Sequence, residues 1–262
     1  MNTKQYMPFE SISPNIITWR EAREFPGLYG TGFFAIFSPY EYIFYVTARH
    51  CIQKIMEEEN NCCLQIPIQL GSKKNIPFSF CLECNTENSL DSEREDIAVL
   101  VVDKDKLNST EYVCLKKRAL KLIHQDDIDF LLRFGVQNKI KLRTIGFPLH
   151  NAPDGKNYVD YEEPIINLQP RGFNGILDKD DCWPNQYIIK DTNWQGDSYS
   201  GFSGSPVIYL QPEPDGKVRC FPIGVIVRAG GKIARFVNIN MVTNTIAAFI
   251  CNELNLTERR IK

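Results

Sequence analysis

Short apolar runs separated by turn residues recur from one end of the chain to the other, and a helical period interrupts them in few places. In the first half the runs fall at 15–19, 31–37, 42–47, 64–70, 78–83 and 97–102, and in the second at 139–145, 165–168, 187–190, 206–210, 221–227 and 233–239. Each reads as a strand, because β-branched and aromatic residues concentrate in the runs while Gly, Pro, Asn and Asp collect between them. Six strands suffice to close one small barrel, so the pattern predicts an all-β chain with a six-stranded barrel in each half. Helix is expected as about one turn over 51–56, as a short helix over 126–135 that stops at Gly135, and as a terminal helix over 240–254. In the last of these Val242, Ile246, Phe249, Ile250 and Leu254 share a face. The charged stretch between the halves predicts a connector over 104–138, which leaves an N-terminal barrel over 1–103, a C-terminal barrel over 139–239 and a closing helix and tail over 240–262.

Composition narrows the function classes. With 262 residues, 43% of them hydrophobic and 24% charged, the chain can bury a large core and does not read as disordered. A net charge of -2 argues against a nucleic-acid partner, which selects for a concentrated basic face. No apolar run is long enough for a membrane span, and the residues after Met1 lack the apolar core of a secretion signal, so no membrane partner is expected. Nine cysteines without such a signal point to a reducing compartment, and the expected location is the cytoplasm. Cys81 and Cys84, with Cys62 and Cys63 upstream, suggest a zinc site, but the first two sit in a strand-like run where cysteine serves as a small buried hydrophobe. No metal and no cofactor is expected.

Candidate chemistry centres on Gly201-Phe202-Ser203-Gly204-Ser205-Pro206, a glycine-flanked turn that would hold the Ser203 hydroxyl between two strands. A serine hydroxyl is a poor nucleophile near neutral pH unless a base and an orienting acid accompany it. His50 closes the apolar run before it and Asp96 opens the run 97–102, so both have candidates. His124 lies in the charged connector and His150 follows a Phe-Pro turn, so neither has a comparable setting. All three histidines precede Ser203, whereas an α/β-hydrolase needs its histidine after the serine, and the Gly-x-Ser-x-Gly elbow fails at Ser205. Gly30-Thr31-Gly32 is not a dinucleotide loop, since no helical pattern follows and the third glycine is missing.

Thr47-Ala48-Arg49-His50-Cys51, Asp96-Ile97-Ala98-Val99-Leu100 and the Ser203 turn, in that chain order, resemble the three signature blocks of trypsin-like (chymotrypsin-fold) serine proteases, with the intracellular bacterial peptidases of that group the nearest in style. The segments Gly30-Thr31-Gly32-Phe33 and Thr144-Ile145-Gly146-Phe147-Pro148 resemble further family features. The resemblance implies two packed antiparallel barrels with a terminal helix and a cleft between their rims. It implies that His50 is the general base, Asp96 its orienting acid and Ser203 the nucleophile, roles that are this family's own template. It also implies an oxyanion hole from the Gly201 and Ser203 backbone N–H groups, one donor of which is typically worth ~3 kcal/mol of barrier.

The departures from the family pattern bear on control and specificity. Secreted members pair the cysteine after the histidine with an earlier one, and that position is Ala35 here. Phe202 replaces the aspartate that binds a newly cut amino terminus, so activation by propeptide cleavage is not implied. Val227 stands where a serine usually supports the buried aspartate. Asp197 and Ser198 match the base of the first specificity pocket, which implies cleavage after Arg or Lys. Ala229 and Ala234 replace glycines at its walls, and Asp197 has Arg228 or Lys232 as alternative partners. A free intracellular protease endangers its cell, so a narrow substrate or an activating partner protein is expected, in bacterial defence or regulatory proteolysis. The rival readings are a catalytically silent, protease-like binding module and a serine esterase on the same fold.

Overall fold

A computed structural model describes residues 8–19, 27–53, 55, 62–68, 74–84, 96–123, 125–149, 158–159, 166–180 and 183–260. The first half forms an antiparallel sheet from β1 (Ile12–Trp19), β2 (Gly27–Ile36), β3 (Ile43–Ala48), β4 (Cys62–Gln65), β5 (Phe78–Glu83) and β6 (Ile97–Val102). Its strand order is β4-β1-β2-β3-β6-β5, and β7 (Leu120–Lys121) adds itself in parallel to β2. The expected closed barrel is here an open half-barrel, since β4 and β5 share no ladder among the described residues. β2 outruns β1, which pairs with it only from Gly27 to Phe33, and β7 takes the edge left free at Ala35 and Ile36. The stretch expected to be pure connector thus lends a strand to the first sheet.

β3 and β6 show why their sequences are apolar without a break: every residue of both is buried. Alternate side chains face opposite sides of a sheet. Phe44, Val46, Val99 and Val101 join the core shared with the second half, while Ile43, Tyr45, Ala98, Leu100 and Val102 pack on the other side with Leu115. Leu115 comes from a helix of the connector, Ser109–Arg118, which begins with a reciprocal cap between Asn108 and Glu111. We label this helix α2, after the short α1 (Pro8–Ser11).

The second half is a closed six-stranded antiparallel barrel of order β11-β12-β15-β14-β13-β8. Its members are β8 (Lys141–Gly146), β11 (Arg171–Lys179), β12 (Gln186–Lys190), β13 (Pro206–Pro212), β14 (Val218–Gly230) and β15 (Ile233–Asn238). The run expected at 165–168 is not part of it: among the described residues β10 (Ile166–Asn167) pairs only with β9 (Tyr158–Val159), in a separate ribbon. The sixth barrel strand is β11 instead. The connector helix α3 (Gln125–Asn138) runs past Gly135, which faces Ile140 and Leu177 so closely that a Cβ would lie 2.6 Å from either. Gly135 is a packing contact and not a stop; the helix ends before Lys139, whose φ is 49°. The terminal helix α4 (Asn240–Arg260) buries Val242, Ile246 and Ile250 and sets Phe249 edge-on against Tyr42 and Phe44 of the first half, with ring centres 5.5 and 6.2 Å apart. No described helix is long and apolar enough to cross a membrane.

Candidate active site

Ser203 sits in the turn that enters β13, and glycine permits that turn at two points. Gly201 has φ 97° and Gly204 has φ 84°, and a Cβ on them would lie 2.0 Å from the Phe147 carbonyl oxygen and 1.9 Å from that of Thr31. Within the turn, the N–H of Phe202 donates to Tyr199 O (3.1 Å), that of Gly204 to Ile226 O (2.7 Å) and that of Ser205 to Phe202 O (2.9 Å). The N–H groups of Gly201 and Ser203 meet no acceptor among the described residues. Phe202 is fully buried, edge-on to Phe173 and Trp194 with ring centres 5.0 Å away in both cases. This turn is thus anchored by apolar packing and not by a buried charge.

The turn is also held from the other half of the chain. Thr31 of β2 donates its N–H to Ser203 O (2.8 Å) and its hydroxyl to Gly201 O (2.7 Å), and the same hydroxyl accepts from Phe147 N (2.8 Å). Behind it, Thr47 Oγ1 donates to Thr31 O (2.8 Å) and accepts from Asn15 Nδ2 (2.7 Å), while the Tyr45 hydroxyl donates to Asn15 Oδ1 (2.7 Å). All four residues are fully buried. Burial without partners would leave each polar group at a cost of about 1–3 kcal/mol, so the network fixes the turn's position as long as it is complete.

His50 lies in the 3-10 helix Arg49–Cys51 that follows β3, and Asp96 directly precedes β6. Pairing of these two strands brings them together, with Ala48 opposite Ile97. The contact is fixed at three points: Arg49 N donates to Asp96 O (2.8 Å), His50 N to Asp96 Oδ1 (2.9 Å), and His50 Nδ1 lies 2.5 Å from Asp96 Oδ2. Asp96 adopts φ 46°, a conformation that costs a non-glycine residue roughly 1–3 kcal/mol and persists where surroundings impose it. The Asp96 carboxylate, hydrogen bonded to the ring, holds the His50 imidazolium well above its ordinary 6.5, at about 10; Cys51 adds to the rise and burial opposes it. With Nδ1 engaged by Asp96, Nε2 is the nitrogen left for exchange with a ligand.

His50, Asp96 and Ser203 line one open cavity of about 870 Å³. The structure therefore gathers the three residues singled out from sequence, although no hydrogen bond joins Ser203 Oγ to His50 among the described residues. Of the expected specificity residues, Ser198, Val227, Arg228 and Ala229 line the same cavity. Asp197 does not: it is exposed on a bend next to Ser198, whose carbonyl is pinned by Trp194 Nε1 at 3.0 Å. Ala234 is fully buried in the barrel core, opposite Ala229 in the β14–β15 ladder, and is no part of the cavity wall. Arg49, Gln53, Tyr199 and Ser200 also line the cavity, and no local sequence signal assigns them to it; Thr31, whose motif pointed only to a strand, supports the turn from behind. His124 and His150 lie outside the described residues. Cys84 is buried, donating toward Met241 O (3.8 Å) and accepting from Thr245 Oγ1 (3.2 Å) of α4, and no three His, Cys, Asp or Glu side chains cluster among the described residues.

This architecture, a half-barrel sheet and a closed barrel with a terminal helix, is the chymotrypsin-like double-barrel fold. No family model matches the chain, and no curated protein matches it. Among solved structures it is similar to the thermostable serine protease AL20 from an extremophilic microorganism, over 90% of this chain and 94% of that one, with a TM-score of 0.54 and 9% sequence identity. At that identity the likeness speaks for the fold.

Proposed function

We propose that the chain is a serine endopeptidase acting through Ser203, His50 and Asp96. The observation that carries this reading is the convergence of the Asp96–His50 pair and Ser203 on one cleft, in a turn whose Gly201 and Ser203 N–H groups meet no acceptor among the described residues. In this reading Ser203 Oγ attacks the peptide carbonyl carbon while His50 Nε2 takes its proton; the proton then passes to the leaving amine as the C–N bond breaks. Water repeats the sequence on the acyl-enzyme and frees the acid. Asp96 stays ionised and holds the ring, and the two N–H groups receive the oxyanion. We further propose that the substrate is a narrow class of protein, that a partner protein completes the Ser203–His50 contact, and that the enzyme serves in the cytoplasm in defence or regulatory proteolysis. The contact absent between Ser203 Oγ and His50 supports the activation step.

The test is labelling by a fluorophosphonate, read by intact mass, on the native chain, Ser203→Ala and His50→Ala. Single-site labelling that requires both residues is the expected result. The same missing contact favours one second reading, a silent protease-like binding module, which predicts no labelling of folded protein with any partner and unchanged partner binding in Ser203→Ala.

A further inference from the structure

Apart from Asp96, the charged side chains that line the cleft among the described residues are cationic. Asp96 is its one carboxylate among the described residues, and both Asp96 oxygens are occupied by His50. Arg49 and Arg228 both line it. Arg228 is exposed and lies opposite Arg235 in the β14–β15 register. Arg235 is neutralised by Asp180 at 2.8 Å, whereas Arg228 has no carboxylate partner among the described residues. A register shift between Ile226 and Arg228 breaks the strict alternation of β14, and Val227, Arg228 and Ala229 all reach the same cavity. Across from them, Ser198 Oγ accepts from Ser200 N (3.0 Å) and shares one proton with Ser200 Oγ (2.8 Å). Two hydroxyls carry two protons, so one remains for an acceptor brought by a ligand.

A guanidinium without a carboxylate and a spare hydroxyl donor suit a carboxylate ligand and repel an ammonium. We propose that the cleft selects peptides bearing an acidic side chain, Asp or Glu, with Arg228 as the residue that pairs with it. Its consequence, cleavage beside acidic residues, rests on the endopeptidase reading; the selectivity itself does not.

The experiment uses six-residue peptides, randomised except for Glu, Gln, Lys or Leu fixed at each position in turn. Cleavage rates are measured on the native chain, and binding to Ser203→Ala is measured by fluorescence anisotropy, which needs no turnover. At one position Glu exceeds Gln by about 5- to 30-fold, a range set by a charge-assisted contact that is partly solvated. The ratio falls toward one in Arg228→Gln, inverts in favour of Lys in Arg228→Glu, and weakens in high salt. Equal treatment of Glu and Gln at every position overturns the inference, as does a ratio that Arg228→Gln leaves unchanged or a failure of any acidic peptide to bind. Acid-selective binding to Ser203→Ala alongside a native Ser203 that stays unlabelled, alone and with candidate partner proteins, sinks the endopeptidase reading alone. A labelled Ser203 with a flat Glu to Gln ratio sinks the acidic selectivity alone.

Discussion

Thr31→Val removes a single oxygen from the centre of the molecule and keeps the side-chain shape. Thr31 is fully buried, and its hydroxyl serves two backbone groups, donating to Gly201 O and accepting from Phe147 N. Valine leaves the Phe147 N–H with no acceptor, at about 1–3 kcal/mol, and deprives the Gly201 carbonyl of a donor, at about 1 kcal/mol more. The sum, about 2–4 kcal/mol, corresponds to a fall in melting temperature of roughly 5–15 °C for a chain of this size. Thr31→Ser is the control: it keeps the hydroxyl and loses one buried methyl, about 1 kcal/mol. Differential scanning fluorimetry compares the two variants, and fluorophosphonate labelling compares their reactivity. The Gly201 peptide loses its tether in Thr31→Val alone, so labelling of Ser203 slows by about tenfold or more in that variant. If the valine and serine variants melt together and label at the same rate, the hydroxyl does not hold the turn and the proposed support from β2 is wrong.

The raised His50 pKa sets a pH profile with a definite sign: the ring is a base only after losing its proton, so Ser203 labelling rises with pH through a midpoint above 6.5, and Asp96→Asn moves that midpoint down toward 6.5. In stability the His50–Asp96 pair contributes fully below pH 6.5 and loses its contribution as pH climbs toward about 10, which a pH series of urea unfolding curves on native chain and His50→Ala detects as a difference that shrinks. Gly204→Ala puts a Cβ 1.9 Å from the Thr31 carbonyl oxygen at φ 84°, whereas Gly216→Ala, at φ 78°, meets nothing within 4 Å. The second variant loses about 1 kcal/mol by thermal unfolding and the first several times that or does not fold; equal losses would show that the Gly204 turn has room to relax. Phe202→Ala empties the aromatic socket beneath the nucleophile and costs about 3–5 kcal/mol, a loss that Phe202→Leu recovers in large part in the same melt.

Much of this fold was legible because β3 and β6 are buried on both faces and must be apolar throughout, which marks them however they are read. β11 escaped notice because Gly172, Asn174, Gly175 and Asp178 dilute its strand propensity. Its signal was the period of two: Phe173, Gly175 and Leu177 are buried and their neighbours are not. The helix α2 went unseen although Asn108 and Glu111 spell a reciprocal cap, since its hydrophobic face is weak and only Leu115 and Arg118 are buried. At the site, His50, Asp96 and Ser203 were readable because each borders a strand with a distinctive local sequence. The cavity wall was not, because which residues of 197–200 and 227–234 face the cleft depends on a bend and a register shift that leave no mark in composition. Asp197 and Ala234 were assigned to that wall by alignment of positions, and the local backbone put them elsewhere.

The docking of α4 has a consequence for how the molecule is made. Tyr42 and Phe44 leave the ribosome well before the ring that covers them, Phe249, is joined to the chain. Phe80, still more than half exposed in the finished protein, lies beside that ring with centres 6.0 Å apart. A nascent chain therefore carries an uncovered aromatic surface until Phe249 arrives, and it is then that chaperones would find their grip.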